Sequence, residues 1–351
     1  MNSILKVDLQ RIADSDISFN DFHNKTFLVT GATGLIGSMI IKALLFCNQQ
    51  KQLNISIIAL VRDIKKAEKI FEDFLPNDVI KFVIGDLSNG EIEINIGINY
   101  IIHAASVTSS KYMIERPIET IKTSINGTDA ILQLAKEKKS ESVVYVSSME
   151  MYGTFEKQNE IVTEDKIGLI DPLIVRSDYP ESKRMCENLC VAYSSEYGIP
   201  VKIARLSQTF GAGVLPTESR VFSQFAHSVI ERKDIVLHTE GLSEGNYTYL
   251  SETIEALLIL LLKGTNGEAY NIANEACHMT IAEMAKMVSN EVAGKQINVL
   301  FDIPKENIYG YAKDTHMKLS SEKMRSLGWS PKIGLKEAYI RMIDYMKEEM
   351  E

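Results

Sequence analysis

From residue 25 onward, short and almost uninterrupted apolar runs alternate with stretches whose apolar residues recur every three or four positions. The runs predict strands at 26–30 (TFLVT), 55–61, 80–84, 100–104, 142–147 (SVVYVS) and 201–206. The stretches predict helices at 35–46, 64–74, 117–138 and 180–196. Strands this apolar need cover on both faces, which is the condition of a parallel sheet. After residue 207 the rhythm loosens into shorter helices at 252–263, 281–290 and 335–349, interleaved with small strands. Before residue 25, Ile4, Leu5, Leu9 and Ile12 fall on one helical face, so a helix is expected to pack on the main body. Three parts follow: an N-terminal helical extension (1–24), a doubly wound domain (25–206) and a smaller α/β region (207–351).

Composition narrows the class. A net charge of −9 and the absence of a long basic run argue against a nucleic-acid partner. The longest apolar candidate, 256–262, falls far short of the ~20 residues of a membrane span. Asp8, Asp14 and Asp16 near the start do not read as a signal peptide, so a cytoplasmic location with no membrane partner is expected. The four cysteines, at 47, 186, 190 and 277, contain no CxxC and read as buried free thiols; Cys186 and Cys190, four apart on a helix, leave a redox pair as the lesser reading. The six histidines form no HExxH or HxH, so no metal site is expected.

Between the first strand and the first helix stands Thr30-Gly31-Ala32-Thr33-Gly34-Leu35-Ile36-Gly37. Gly31 permits a tight turn, Gly34 lets backbone N–H groups approach a pyrophosphate, and Gly37 lets helix and sheet pack closely. The helix N-terminus then faces the phosphate charge, with Thr33, Leu35 and Ile36 at the same edge. Strand, loop and helix in this order make the fold a Rossmann-type doubly wound parallel sheet with residues 25–206 binding NAD(P). The smaller C-terminal α/β region is then mainly substrate-binding. At the end of the second strand an acid would hold a ribose hydroxyl and an arginine a 2′-phosphate. Here both occur: Arg62 lies nearer the expected position and favours NADP, while Asp63 keeps NAD open, and NAD is the expected cofactor with NADP as the alternative. Asp86, followed by Leu87, closes the third strand and can hold the adenine amino group.

Tyr179-Pro180-Glu181-Ser182-Lys183 carries the chemistry. On a helix, positions four apart share a face, so Tyr179 and Lys183 point the same way. A tyrosine titrates near pH ~10, and an adjacent ammonium favours its phenolate. The pair can exchange a proton with a hydroxyl while a nicotinamide takes the hydride. A hydroxyl donor precedes it in Ser147-Ser148-Met149-Glu150-Met151-Tyr152-Gly153, at the end of the fifth strand.

With these motifs in order, the chain resembles the extended short-chain dehydrogenases of the NAD-dependent epimerase/dehydratase family, which modify nucleotide sugars. It is most similar to the UDP-glucuronate decarboxylase and 4-epimerase branch. His103-Ala104-Ala105-Ser106, Arg205–Gly211 (RLSQTFG), the run at 268–272 and Leu327-Gly328-Trp329-Ser330-Pro331 fall in the same order as that family's landmarks. The resemblance implies a catalytic set of Ser148, Tyr179 and Lys183, with Ala104, Ala105 and Ser106 lining the cofactor. It implies Gln208, Arg220 and Val221 as substrate contacts, the last two at the nucleotide base, and a homodimer built on two helices.

Members of that family begin by oxidising the sugar at C4. Dehydratases carry adjacent Asp and Glu after the serine, whereas here Met149 comes first and Glu150 second. Ser-x-Glu resembles the decarboxylases, as do 117–128 and Arg176-Ser177-Asp178-Tyr179. Yet Gly245 stands where their substrate-binding arginine would be, Glu252 replaces an Asp and Ser124 an Asn. Epimerisation needs no further acid or base and is the leading expectation, followed by decarboxylation and 4,6-dehydration, with Glu150 as a candidate catalytic or merely structural carboxylate. An NADPH-dependent carbonyl reductase and a non-catalytic dinucleotide sensor remain as alternatives of other classes.

Overall fold

An N-terminal helix, α1 (Ser3–Ala13), leads into β1 (Thr26–Thr30), α2 (Leu35–Lys51), β2 (Ser56–Val61), α3 (Ile64–Ile70) and β3 (Ile80–Ile84). There follow β4 (Tyr100–His103), α4 (Ser110–Glu115), α5 (Pro117–Lys138), β5 (Ser142–Ser148), β6 (Ile161–Val162), α6 (Asp178–Tyr197) and β7 (Val201–Leu206). Beyond these come β8 (Gln208–Phe210), α7 (Val221–Glu231), β9 (Ile235–Leu237), β10 (Glu244–Tyr249), α8 (Leu250–Lys263) and β11 (Ala269–Ile272). The last elements are β12 (His278–Thr280), α9 (Ile281–Met287), β13 (Val299–Phe301), β14 (Lys318–Leu319), α10 (Glu322–Ser326) and α11 (Leu335–Glu348). The structure, a computed structural model, describes residues 1–90, 92–155, 160–304 and 314–351.

Seven strands form one sheet in the order β11-β7-β5-β4-β1-β2-β3, each neighbouring pair parallel. Side chains alternate across it as the two-residue strand period requires. Phe27, Val29, Ile57, Ile102 and Val144 enter one core, while Leu28, Ile58, Ile101, Val143 and Ile203 enter the other. Both faces are therefore buried, which is why the strands read as continuous apolar runs. Strand order reverses at β1 and β4, opening the crevice where such sheets take ligands.

Residues past 207 add β11 to this sheet and build a second one, β12-β10-β8. Two expected helices are shorter than their patterns. The segment 64–74 leaves the α conformation at Phe71, whose buried ring turns in to stack on Phe82 at 5.9 Å. The segment 281–290 widens after Met287 into a π turn, where Ser289 Oγ donates to the Ile297 carbonyl at 2.5 Å. All four cysteines are free and buried.

Helix α1 packs through Leu5, Leu9 and Ile12 into the larger core. It also carries charge inward: buried Asp8 accepts from Tyr249 Oη at 2.6 Å and from Arg341 at 2.8 Å. Arg11 reaches buried Glu252 at 2.8 Å, and Glu252 also accepts the Ile333 N–H at 2.9 Å. The Asp-to-Glu departure at 252 is thus a fastening of α1 and the C-terminal loop onto α8. No helix among the described residues is long and apolar enough to cross a membrane.

Candidate functional site

The crevice begins with the glycine loop. Gly31 adopts φ +64°, and a Cβ there would lie 2.7 Å from the Ala104 carbonyl, so both backbone shape and space require glycine. A Cβ on Gly37 would overlap the Gly31 backbone, which explains the close approach of α2. Gly34 is the N-cap of α2 and offers no side-chain acceptor, so the first-turn N–H groups stay free for an anion. Thr33, Leu35 and Ile36 are half-buried around that turn. These features fit a dinucleotide pyrophosphate.

At the neighbouring strand ends Arg62, Asp63 and Asp86 are exposed, and Leu87 is buried. Asp63 caps α3, accepting the Lys66 N–H at 3.1 Å. Asp86 accepts the Ser88 N–H at 2.9 Å, and this bond, helped by the charge of Arg62, holds its carboxyl below the usual range. Past β4, Ala104, Ala105 and Ser106 are half-buried. His103 beneath them lies 2.7 Å from Thr30 Oγ1 through Nδ1 and 3.3 Å from Thr128 Oγ1 through Nε2. Burial, and then the Lys183 charge, push its pKa down to about 3.

Ser148 ends β5, and Tyr179 and Lys183 occupy the first turns of α6, whose start is packed beside that strand end. The hydroxyls of Ser148 and Ser106 lie close enough to the Tyr179 phenol to favour its charged form. Burial pushes it well above the ordinary tyrosine range; Glu150 adds to the rise, while the Ser148 hydroxyl and Arg176 oppose it. Lys183 donates to the Val146 carbonyl at 2.8 Å and lies 5.6 Å from the centre of the Tyr179 ring. Its own burial pushes its pKa down to about 8. The arrangement holds a proton donor and acceptor, a second hydroxyl and a cation around one point, as hydride-transfer chemistry at an alcohol needs.

Glu150 follows in the short turn Met149–Tyr152, which Arg184 fixes by donating to the Met151 and Gly168 carbonyls at 2.7 and 2.8 Å. Its N–H donates to Ser148 Oγ at 3.2 Å, and its carboxylate meets Arg176 at 2.8 Å. The Arg176 guanidinium in turn lies 5.7 Å from the Tyr179 ring centre. On the facing strand β10, a Cβ at Gly245 would lie 3.9 Å from Met149 Cε. Ser124 on α5 keeps a buried hydroxyl with no hydrogen-bond partner among the described residues.

Further along, Gln208 opens β8 half-buried, and Val221 opens α7. Arg220 precedes Val221, paired with Glu218 at 2.6 Å and lying 4.8 Å from the Phe222 ring centre. Sequence reasoning passed over Glu187. It sits one more turn along the Tyr179–Lys183 stripe, and that four-residue repeat was the available signal. Buried Glu187 pairs with Arg205 at 2.7 Å and accepts from Ser147 Oγ at 2.6 Å. Arg205 also donates to Tyr152 Oη at 2.9 Å, and that hydroxyl donates to Asn271 at 2.7 Å. These landmark residues lock β5, α6, β7 and β11 together behind the reacting groups.

A parallel sheet with this loop and this Ser-Tyr-Lys cluster defines a dinucleotide-dependent α/β enzyme. The sequence matches the model of the NAD dependent epimerase/dehydratase family over residues 27–273, and the chain belongs to that family, with NAD as its cofactor. It is 26% identical over 330 residues to UDP-glucuronic acid decarboxylase 1 of Danio rerio, covering 93% of this chain and 74% of that protein. It is 28% identical over 335 residues to dTDP-D-glucose 4,6-dehydratase of Homo sapiens, covering 92% and 90%. Among solved structures, UDP-N-acetylglucosamine 4-epimerase from Methanobrevibacter ruminantium M1 superposes with TM-score 0.78 at 18% identity, covering 93% of this chain and all (100%) of that one. The relatives are thus nucleotide-sugar epimerases, dehydratases and decarboxylases, and this chain is an enzyme of their family.

Proposed function

We propose that this enzyme epimerises a nucleotide sugar at C4. The observation that carries the reading is the division of the acid and base groups. Tyr179 and the Ser148 hydroxyl face each other at the reacting point, whereas Glu150 is engaged by Arg176 and Met149 offers no proton. One proton-transfer group suffices for oxidation and re-reduction at one carbon, and elimination of water needs more.

When bound, NAD would supply the group that accepts and returns the C4 hydride. Ser148 Oγ would hold the C4 oxygen, and Tyr179 Oη, in its phenolate form, would take the C4 hydroxyl proton and later give it back. Lys183, beside the ring, stabilises the phenolate and holds the nicotinamide ribose. Gly31, Thr33, Gly34, Leu35, Ile36 and Gly37 seat the pyrophosphate; Arg62 and Asp63 flank the adenosine ribose, Asp86 and Leu87 the adenine. Ala104, Ala105 and Ser106 line the nicotinamide end, and Gln208, Arg220 and Val221 the substrate nucleotide. Inversion requires the 4-keto sugar to turn over before the hydride returns, and the absence of a side chain at Gly245 leaves room on that side.

Decarboxylation of a uronate is the second reading, favoured by the presence of Glu150 beside Ser148. A homodimer is proposed as well, since α5 and α6 expose Ile118, Ile121, Met185 and Val191; light scattering on the eluting protein checks it. The deciding experiment incubates the protein with NAD, and separately with NADP, against a panel of nucleotide sugars including UDP-glucuronate. An isomer of unchanged mass with an inverted C4 signal by NMR is the expected product. Loss of carbon dioxide or of water overturns epimerisation in favour of decarboxylation or dehydration. Net oxidation of NADPH by other carbonyl compounds, with every sugar untouched, overturns the nucleotide-sugar reading.

A further inference from the structure

Arg176 is the residue the catalytic scheme leaves without a task. It lies in the turn Val175–Ser177 just before α6, with its side chain 27% exposed. A guanidinium has five N–H donors in a rigid fork. Among the described residues Arg176 makes one hydrogen bond, from Nη2 to Glu150, so the Nε and Nη1 edges stay available. The partner carboxylate is also open to solvent, at 37% exposed. Across the crevice, β10 presents Gly245 against the Met149 methyl group, so position 245 brings no cation to the reacting point. Lys183 is the other cation at Tyr179, and it is buried and held by the Val146 carbonyl.

Resting on the nucleotide-sugar reading above, we propose that Arg176 is a specificity-determining residue that selects a sugar carrying a carboxylate next to the reacting carbon, a uronate, over the neutral hexose. The free edge of its fork takes the substrate carboxylate while the other edge keeps or releases Glu150. Two carboxylates then share one guanidinium, so Glu150 competes with the substrate for the same charge. The pairing adds binding energy for the uronate and none for a hydroxymethyl group.

The test titrates NAD-loaded full-length protein with UDP-glucuronate and with UDP-glucose by calorimetry. The wild type is expected to bind the uronate more tightly. Arg176→Ala should weaken UDP-glucuronate about tenfold or more and leave UDP-glucose within about threefold. Glu150→Gln removes the competitor and should shift the ratio the opposite way, about threefold further toward the uronate. Unchanged UDP-glucose binding also shows that each variant is folded. A ratio that Arg176→Ala leaves unchanged, or equal losses for both sugars, overturns this inference alone. A wild type that binds neither compound overturns the nucleotide-sugar reading and this inference with it.

Discussion

Two glutamate–arginine pairs lie near the reacting groups, and they are chemically identical and structurally opposite. Glu187–Arg205 is buried, with side chains 8% and 7% exposed. Arg205 uses Nε on both Glu187 oxygens, Nη2 on one of them, and Nη1 on Tyr152 Oη and the Glu164 carbonyl. Glu150–Arg176 is half-exposed and joined by one hydrogen bond. The difference teaches that the role of an ion pair is set by how much hydrogen-bonding capacity it leaves over. A nearly saturated pair can only hold elements together, whereas one with most of its donors left over can take a new partner.

The largest effect expected lies between the two pairs. Tyr179→Phe removes the acid/base group and should lower kcat about a thousandfold, with substrate affinity and the melting temperature nearly unchanged. A loss below about tenfold would move the proton transfer elsewhere, with Glu150 the first suspect. Next in size, Arg205→Met leaves Glu187 charged and buried with no cation, at a cost of about 3–5 kcal/mol of stability in urea titration. A cost under about 1 kcal/mol would erase the contrast between the pairs.

A third carboxylate tests the middle ground. Glu255 is mostly buried yet 3.9 Å from Arg11, and burial pushes its pKa up to about 7. Folded protein therefore binds a proton there that the unfolded chain releases near pH ~4.5, so this group's contribution falls as pH rises from about 4.5 to about 7. Glu255→Gln should gain stability relative to wild type across that window, by about 1–2 kcal/mol after allowance for screening, read from melts at both ends. The smallest effect belongs to the open pair: Glu150→Gln should change stability by less than about 1 kcal/mol. A larger loss would make that pair a fastening like Glu187–Arg205.

The sheet was legible because its information is local. Apolar runs such as TFLVT and SVVYVS register burial on both faces, and 117–138 forms a helix with those bounds. The glycine loop and the Tyr179–Lys183 spacing likewise put neighbouring residues on one turn or one face. What stayed hidden depends on meetings between distant segments. Phe71 ended a helix because Phe82 was there to receive it, and β11 joined β7 across the whole of 207–268. The Arg176–Glu150 contact and the glycine at 245 facing Met149 bring together two turns and a strand that no spacing rule relates. Glu252, a departure when read along the chain, is explained by Arg11 at the opposite end of it.

His103 gives the site a sense of direction. Thr128 Oγ1 already donates to the Ser124 carbonyl at 2.7 Å, so it must accept from His103, which places the imidazole hydrogen on Nε2. Nδ1 is then an acceptor, the Thr30 hydroxyl points its hydrogen there, and the same oxygen receives the Ala105 N–H at 3.2 Å. Two runs of donors, one leaving Ala105 and one leaving the imidazole, therefore follow a single orientation from the loop under the reacting groups to the interior of α5. A second proton on the ring would strand the Thr30 hydroxyl hydrogen without an acceptor, and burial, which pushes the ring's pKa down to about 3, holds that proton off.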